Sequence, residues 1–128
     1  MSFNILIVDD SPIARAVLEK TLRLARIPIA ELHFAEHGAA ALELLAAHWI
    51  DVAFVDINMP VMNGVELVRR MKANGLTSSI PVIVVSTEGS TTRSAELHEL
   101  GITAQVRKPF NPEALRALIL EVLGLAHA

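Results

Sequence analysis

Runs of apolar residues alternate with amphipathic segments along the whole chain. Residues 4–8, NILIV, are apolar and β-branched after Asn4 and end on two acids, which predicts a buried strand, β1. Ser11-Pro12 follows, an N-cap with proline at the first helical position. The next helix, α1, is expected over 12–25. Apolar residues at Ile13, Val17, Leu18, Thr21, Leu22 and Ala25 have helical spacing and predict one buried face. Ile27-Pro28 ends that segment. Residues 31–35 alternate polar with apolar (Leu32, Phe34), as suits a less buried strand β2.

Gly38 opens α2, expected over 39–48 and rich in alanine. Residues 52–56 give β3, an apolar run that ends on a lone acid, Asp56. α3 is expected over 64–74, with Leu67, Val68 and Met71 on one face and Gly75 as its C′ cap. The most apolar stretch, IPVIVV at 80–85, is β4. A polar helix, α4, over 91–100 ends at Gly101, and 103–107 is β5. Asn111-Pro112 repeats the N-cap and proline signal. It starts α5, expected to about residue 123, with Leu115, Leu118, Ile119 and Val122 as its apolar stripe and 126–128 as a loose tail.

Five strands alternating with five helices imply a parallel sheet wrapped by helices through right-handed crossovers. The continuous apolar strands β1, β3 and β4 are expected at its centre.

Composition narrows the class. At 128 residues and 52% hydrophobic, the chain is expected to form one domain with a substantial core. Cysteine is absent, which removes disulfide frameworks and thiolate metal sites. Fourteen acidic against 11 basic residues give a net charge of -3, which offers no electrostatic case for nucleic acid. The N-terminus lacks the pattern of a signal peptide, and no apolar run approaches the roughly 18 residues of a membrane span. A cytoplasmic protein is the default expectation, without membrane or nucleic-acid partners.

Candidate chemistry gathers at the strand ends. In a parallel sheet every strand points its carboxyl end to the same rim, where open α/β sheets bind ligands. β1 delivers Asp9 and Asp10, β3 delivers Asp56, β4 delivers Ser86 and Thr87, and β5 delivers Lys108-Pro109. Strands ~4.8 Å apart would make the carboxylates of β1 and β3 close neighbours, which repel unless a cation sits among them. An all-oxygen cluster with open positions suits Mg²⁺ and a phosphate co-ligand. Lys108 adds a point charge for a phosphoryl oxygen, and Ser86 adds a hydroxyl. Each feature alone is commonplace: acid pairs form solvated turns, and Ser-Thr pairs cap helices. Their convergence on one rim is the specific signal.

The segments IVDDS, VDINMPVMNG, PVIVVSTEG and VRKPF, in this order and spacing, resemble the receiver domain of bacterial response regulators. The likeness spans essentially the whole chain. STEG and RKPF-x-P look most like stand-alone chemotaxis receivers of the CheY type. This resemblance implies a flavodoxin-like (βα)5 three-layer sandwich with strand order 2-1-3-4-5. It implies that Asp56 accepts a phosphoryl group from the phosphohistidine of a histidine kinase or histidine phosphotransfer domain. Asp10, Asp56 and the backbone carbonyl of Asn58 would hold Mg²⁺, and Asp9 would act through a metal-bound water. Ser86 and Lys108 would bind the phosphoryl oxygens, and Lys108-Pro109 would be a cis peptide. Asn58 and Glu88 would flank the site and tune water access. Output would appear on the α4-β5-α5 face, towards a protein target.

One position departs from the family pattern. Where members usually carry an aromatic residue three before the lysine, this chain has Gln105. A glutamine cannot be buried without partners, so an altered coupling between Asp56 and the output face is expected. The alternative at that position is plain exposure.

The five histidines are not expected to form a metal set: His33 and His37 fall in a strand and a turn and read as solvated. Trp49 is expected to pack at the end of α2, and Leu120 and Leu125 lie off the α5 stripe.

Among competing functions, an aspartyl-phosphate hydrolase would place its nucleophile after the first strand and need a lid. A flavin carrier would need an uncharged phosphate loop where Asp9-Asp10 stand. A phosphate-independent interaction module on the receiver fold, or a receiver fragment of a larger regulator, remain as alternatives. The expectation is a complete single receiver domain over 1–128, not an enzyme beyond its own phosphorylation and dephosphorylation. It is expected to be monomeric, with a phosphorylation-linked dimer as the variant.

Overall fold

The computed structural model describes residues 2–57, 61–86, 91–107 and 111–127. The elements run β1 (Phe3–Val8), α1 (Pro12–Leu24), β2 (Ile29–Ala35), α2 (Gly38–Ala47), β3 (Val52–Asp56), α3 (Gly64–Ala73), β4 (Val82–Ser86), α4 (Thr91–Leu100), β5 (Ala104–Arg107) and α5 (Pro112–His127). All neighbouring strands pair in parallel in the order β2-β1-β3-β4-β5. The three most apolar strands are therefore the central ones, as their hydrophobic runs predict.

Side-chain alternation along each strand splits the core into two layers. Leu6, Val8, Ala53, Val55, Val82 and Val84 face α2, α3 and α4, with Leu45, Leu67, Met71 and Leu97 packed on them. Ile5, Ile7, Val52, Phe54, Ile83 and Val85 face the other way, against Leu18 and Leu22 of α1 and Leu115 and Ile119 of α5. The result is a flavodoxin-like three-layer sandwich.

Helix starts follow the capping signals. The side chains of Ser11, Asn63 and Asn111 accept hydrogen bonds from the backbone N–H groups of Ala14, Glu66 and Ala114. His37 caps α2 in the same way, its Nδ1 accepting from the Ala40 N–H at 3.0 Å.

Several expectations are corrected. On α1, Leu18, Thr21, Leu22 and Ala25 are buried, but Ile13 is 77% exposed and Val17 also faces solvent. The helix turns its 18–22–25 edge to the sheet, so its two N-terminal apolar residues lie off the contact line. Gly75 does not adopt the left-handed conformation; α3 ends on an extended Asn74 instead. Among the described residues the left-handed turns belong to Arg26, Val61 and Gly101. β4 begins at Val82 rather than at residue 80, because Pro81 has no N–H for the ladder. α5 extends to His127, so residues 126 and 127 are helical rather than a loose tail. Trp49 is 78% exposed rather than packed, its Nε1 donating to Asp51 Oδ1 at 3.3 Å.

Candidate acidic site at the strand ends

Three carboxylates converge at the carboxyl rim of the central strands. Val8 and Val55 are register partners on adjacent strands, so Asp9 and Asp56 emerge side by side, one residue further on. Asp9, Asp10 and Asp56 each present an oxygen, and these three oxygens all lie within 4.8 Å of one another. Asp9 is 6% exposed, Asp56 is half-buried and Asp10 is exposed, so the cluster grades from protein interior to solvent. A small crevice between β1, β3 and β4 is lined by Asp9, Ala14, Asp56 and Val85.

Backbone contacts hold these acids in place. The Asp9 N–H donates to the Ala35 carbonyl at 3.0 Å, extending the β1–β2 ladder past its last strand residue. Asp9 Oδ1 accepts from the Ser11 N–H at 3.0 Å, which turns the carboxylate back over the start of α1. Arg15 Nη1 donates to the Asp9 carbonyl oxygen at 2.7 Å, tying the first turn of α1 to the end of β1.

On the other side, the N-terminus of α3 comes down directly on β3. The Gly64 N–H donates to the Ile57 carbonyl at 2.8 Å. A Cβ at Gly64 would stand 2.4 Å from the Asp56 carbonyl oxygen, a separation real atoms do not adopt. Gly38 makes a similar approach at the start of α2. Its N–H donates to the Met62 carbonyl at 3.1 Å, and a Cβ there would meet the Met62 side chain at 2.7 Å.

Asp9, Asp10 and Asp56 are thus brought together as the strand-end reading expects. Ser86 ends β4 in register with Arg107 of β5, at the same rim; its side chain is outside the described residues. Asn58, Glu88, Lys108 and Pro109 also fall outside the described residues, as does the expected cis peptide. Gln105 is half-buried and pairs with Val84 in the β4–β5 ladder. Its neighbours Ala104 and Val106 pack on the α1 and α5 side, so alternation turns Gln105 to the α4 side. Arg15 and Gly64 were not singled out from the sequence. The signal for Gly64 was present in Asn63-Gly64, a cap and a side-chain-free residue at a strand-to-helix turn.

The donor set fits Mg²⁺: three clustered carboxylates, all hard oxygen ligands, with solvent on one side to leave water positions open.

A doubly wound α/β sheet with an acidic crevice at the ends of its central strands defines the class: an open-sheet fold of the kind that binds ligands at the carboxyl rim. Comparison with known proteins narrows that class. The sequence profile described as the response regulator receiver domain matches residues 5–120, and the chain belongs to that family. It is 37% identical over 123 residues to a chemotaxis protein CheY homolog of Campylobacter jejuni, covering 94% of this chain and 92% of the relative. The structure of Vibrio cholerae chemotaxis protein CheY4 superposes with a TM-score of 0.85 at 33% identity, covering 96% of this chain and all of that one. The receiver domain of a Pseudomonas aeruginosa sensor histidine kinase shares the fold, with a TM-score of 0.85 at 21% identity. That alignment covers 97% of this chain and 99% of the other, which was solved with magnesium in its active-site cleft.

Receiver domains are regulators rather than enzymes acting on a separate substrate, and those of this type work with histidine kinases and downstream targets. Among the described residues no helix is long and apolar enough to cross a membrane.

Proposed function

We propose that this chain is a cytoplasmic, chemotaxis-like response regulator that accepts a phosphoryl group on Asp56. The observation that carries the reading is the convergence of the Asp9, Asp10 and Asp56 carboxylates within 4.8 Å in a chain of the receiver family. The donor is the phosphohistidine of a kinase or phosphotransfer domain.

Asp10, Asp56 and the Asn58 carbonyl would hold Mg²⁺, with Asp9 acting through a water. When bound, the ion supplies positive charge that offsets the carboxylates and the phosphoryl oxygens. A carboxylate oxygen of Asp56 attacks phosphorus in line, the P–N bond to the donor histidine breaks, and its electron pair returns to the imidazole. Lys108 and Ser86 are assigned to the phosphoryl oxygens, as point charge and hydroxyl donor. Arg15 and the Ser11 N–H keep the Asp9 end of β1 fixed while this occurs. Asn58 and Glu88 would tune water access to the acyl phosphate.

Phosphorylation adds about -2 charge at the rim. Ser86 follows the new oxygens and draws the segment after β4 with it, which shifts α4 and the α4-β5-α5 face. Gln105 stands half-buried on that route. An amide there needs hydrogen-bond partners in both states, so the signal runs through loop and helix movement rather than through burial of an aromatic ring.

Intact mass after incubation with a small phosphodonor and Mg²⁺ tests the proposal. Wild type should gain one phosphoryl group and Asp56→Asn none, and chelation should abolish the gain. A folded wild type that gains nothing from either a small donor or a phosphorylated histidine protein would overturn it, in favour of a phosphate-independent module.

A further inference from the structure

A second donor cluster lies on the edge of the sheet, away from the acids. Glu31 and His33 are two apart on β2, so both side chains leave the same face. Ala35, next in that alternation, belongs to the core layer under α2, so this is the face α2 covers. His48 is the C-cap of α2, its extended backbone carrying the imidazole back over the strand. The His33 and His48 rings stack with centroids 4.2 Å apart at 30°. His33 Nε2 lies 2.9 Å from Glu31 Oε1. One ligand atom from each of the three residues lies within 4.8 Å of the other two.

We propose that Glu31, His33 and His48 bind a borderline transition-metal ion of the Zn²⁺ type, at a site separate from the acidic rim. Two imidazoles and one carboxylate form a mixed nitrogen and oxygen set, which suits Zn²⁺ and disfavours Mg²⁺. Bonds of about 2.0–2.2 Å put tetrahedral donor atoms roughly 3.4 Å apart, so side-chain rotation must bring in the separations that reach towards 4.8 Å and open the 2.9 Å His33–Glu31 pair slightly. Glu31 and His48 are exposed and free to make that rotation, while the half-buried His33 holds its place. Three protein ligands leave a fourth position for water or another ligand.

The site is distinct in position as well as chemistry. His33 is level with Leu6, and Leu6 with Ala53, three residues short of Asp9 and Asp56 on their strands. That is roughly 10 Å back from the acidic rim. A bound ion would pin the edge strand β2 to the end of α2, joining residues that lie 15 apart in the chain.

Calorimetric titration of Zn²⁺ into the whole protein, with the acidic rim saturated by Mg²⁺, tests the site. Wild type and Asp56→Asn should each bind one Zn²⁺ with equal affinity. His48→Gln and Glu31→Gln, both at exposed positions, should bind at least tenfold more weakly. Zn²⁺ should raise the thermal midpoint of wild type and leave that of His48→Gln unmoved. Absence of micromolar binding in wild type would overturn the proposal. So would unchanged affinity in His48→Gln, or loss of binding in Asp56→Asn.

Discussion

Gly64 lies against the backbone of Asp56 so closely that a side chain of even one carbon would come within 2.4 Å of the Asp56 carbonyl oxygen. The first turn of α3 therefore sets the height of the proposed phosphoacceptor above the sheet. Gly64→Ala must lift α3 or displace residues 56 and 57. We expect a loss of about 1–3 kcal/mol, as for other overpacked sites, read from urea unfolding. Slower phosphorylation of Asp56 should accompany it. Stability and rate both equal to wild type would show that α3 moves without moving the rim.

Val61 adopts φ 65° and is 81% exposed. A β-branched residue in the left-handed region costs about 1–2 kcal/mol, and no packing compensates at so exposed a position. Asn tolerates that conformation better. Val61→Asn should raise the urea midpoint, with a gain of about 1 kcal/mol and an unchanged m-value. A lower midpoint would mean that the valine side chain makes a stabilising contact.

Mg²⁺ should stabilise the fold by mass action. At a hundredfold excess over its dissociation constant the gain would be about 2.7 kcal/mol. Asp10→Asn removes one of the three clustered carboxylates and should shrink that gain at fixed Mg²⁺, with binding weakened at least tenfold. Thermal unfolding with and without the ion reads both effects. An equal shift in the variant would remove Asp10 from the site.

Glu66 accepts hydrogen bonds from Arg69 and Arg70, and these hold its carboxyl below the usual value of 4.5. A carboxyl with a lowered folded-state pKa binds fewer protons folded than unfolded, so stability rises with pH across its titration. The contribution is fully present above pH 4.5 and is lost as pH falls through the lower folded value. Arg69 also donates to Glu96 of α4 at 2.7 Å, so the pairing spans two helices. Glu66→Gln should flatten the acid side of the stability curve by lowering the neutral plateau, with the variant converging on wild type at low pH, and the drop should be small because the pairs are exposed. A curve identical to wild type throughout would dismiss the interaction.

Much of the fold was legible along the chain because its signals are local. Capping by Ser11, Asn63 and Asn111 needs only the next three residues. The apolar runs of β1, β3 and β4 report burial on both faces, and the structure puts those strands in the centre. The strand order itself came from the resemblance to receivers, since periodicity does not say which strands are neighbours. The acidic rim was legible for a related reason: parallel strands share a direction, so residues that end strands must share an edge.

What the amino-acid sequence determined by itself was therefore the alternation of elements, their caps and the acids at the strand ends. Tertiary structure alone decided which helix edge meets the sheet. That choice left Ile13 in solvent although it stands four residues before Val17 and eight before Thr21 in the apolar pattern. It decided that Trp49 stays exposed, and that His33 meets His48 instead of His37. It also brought Gly64 onto the carbonyl of Asp56. Each of these depends on the distance between segments remote in sequence, which is set by how the layers pack and not by the period of any one segment.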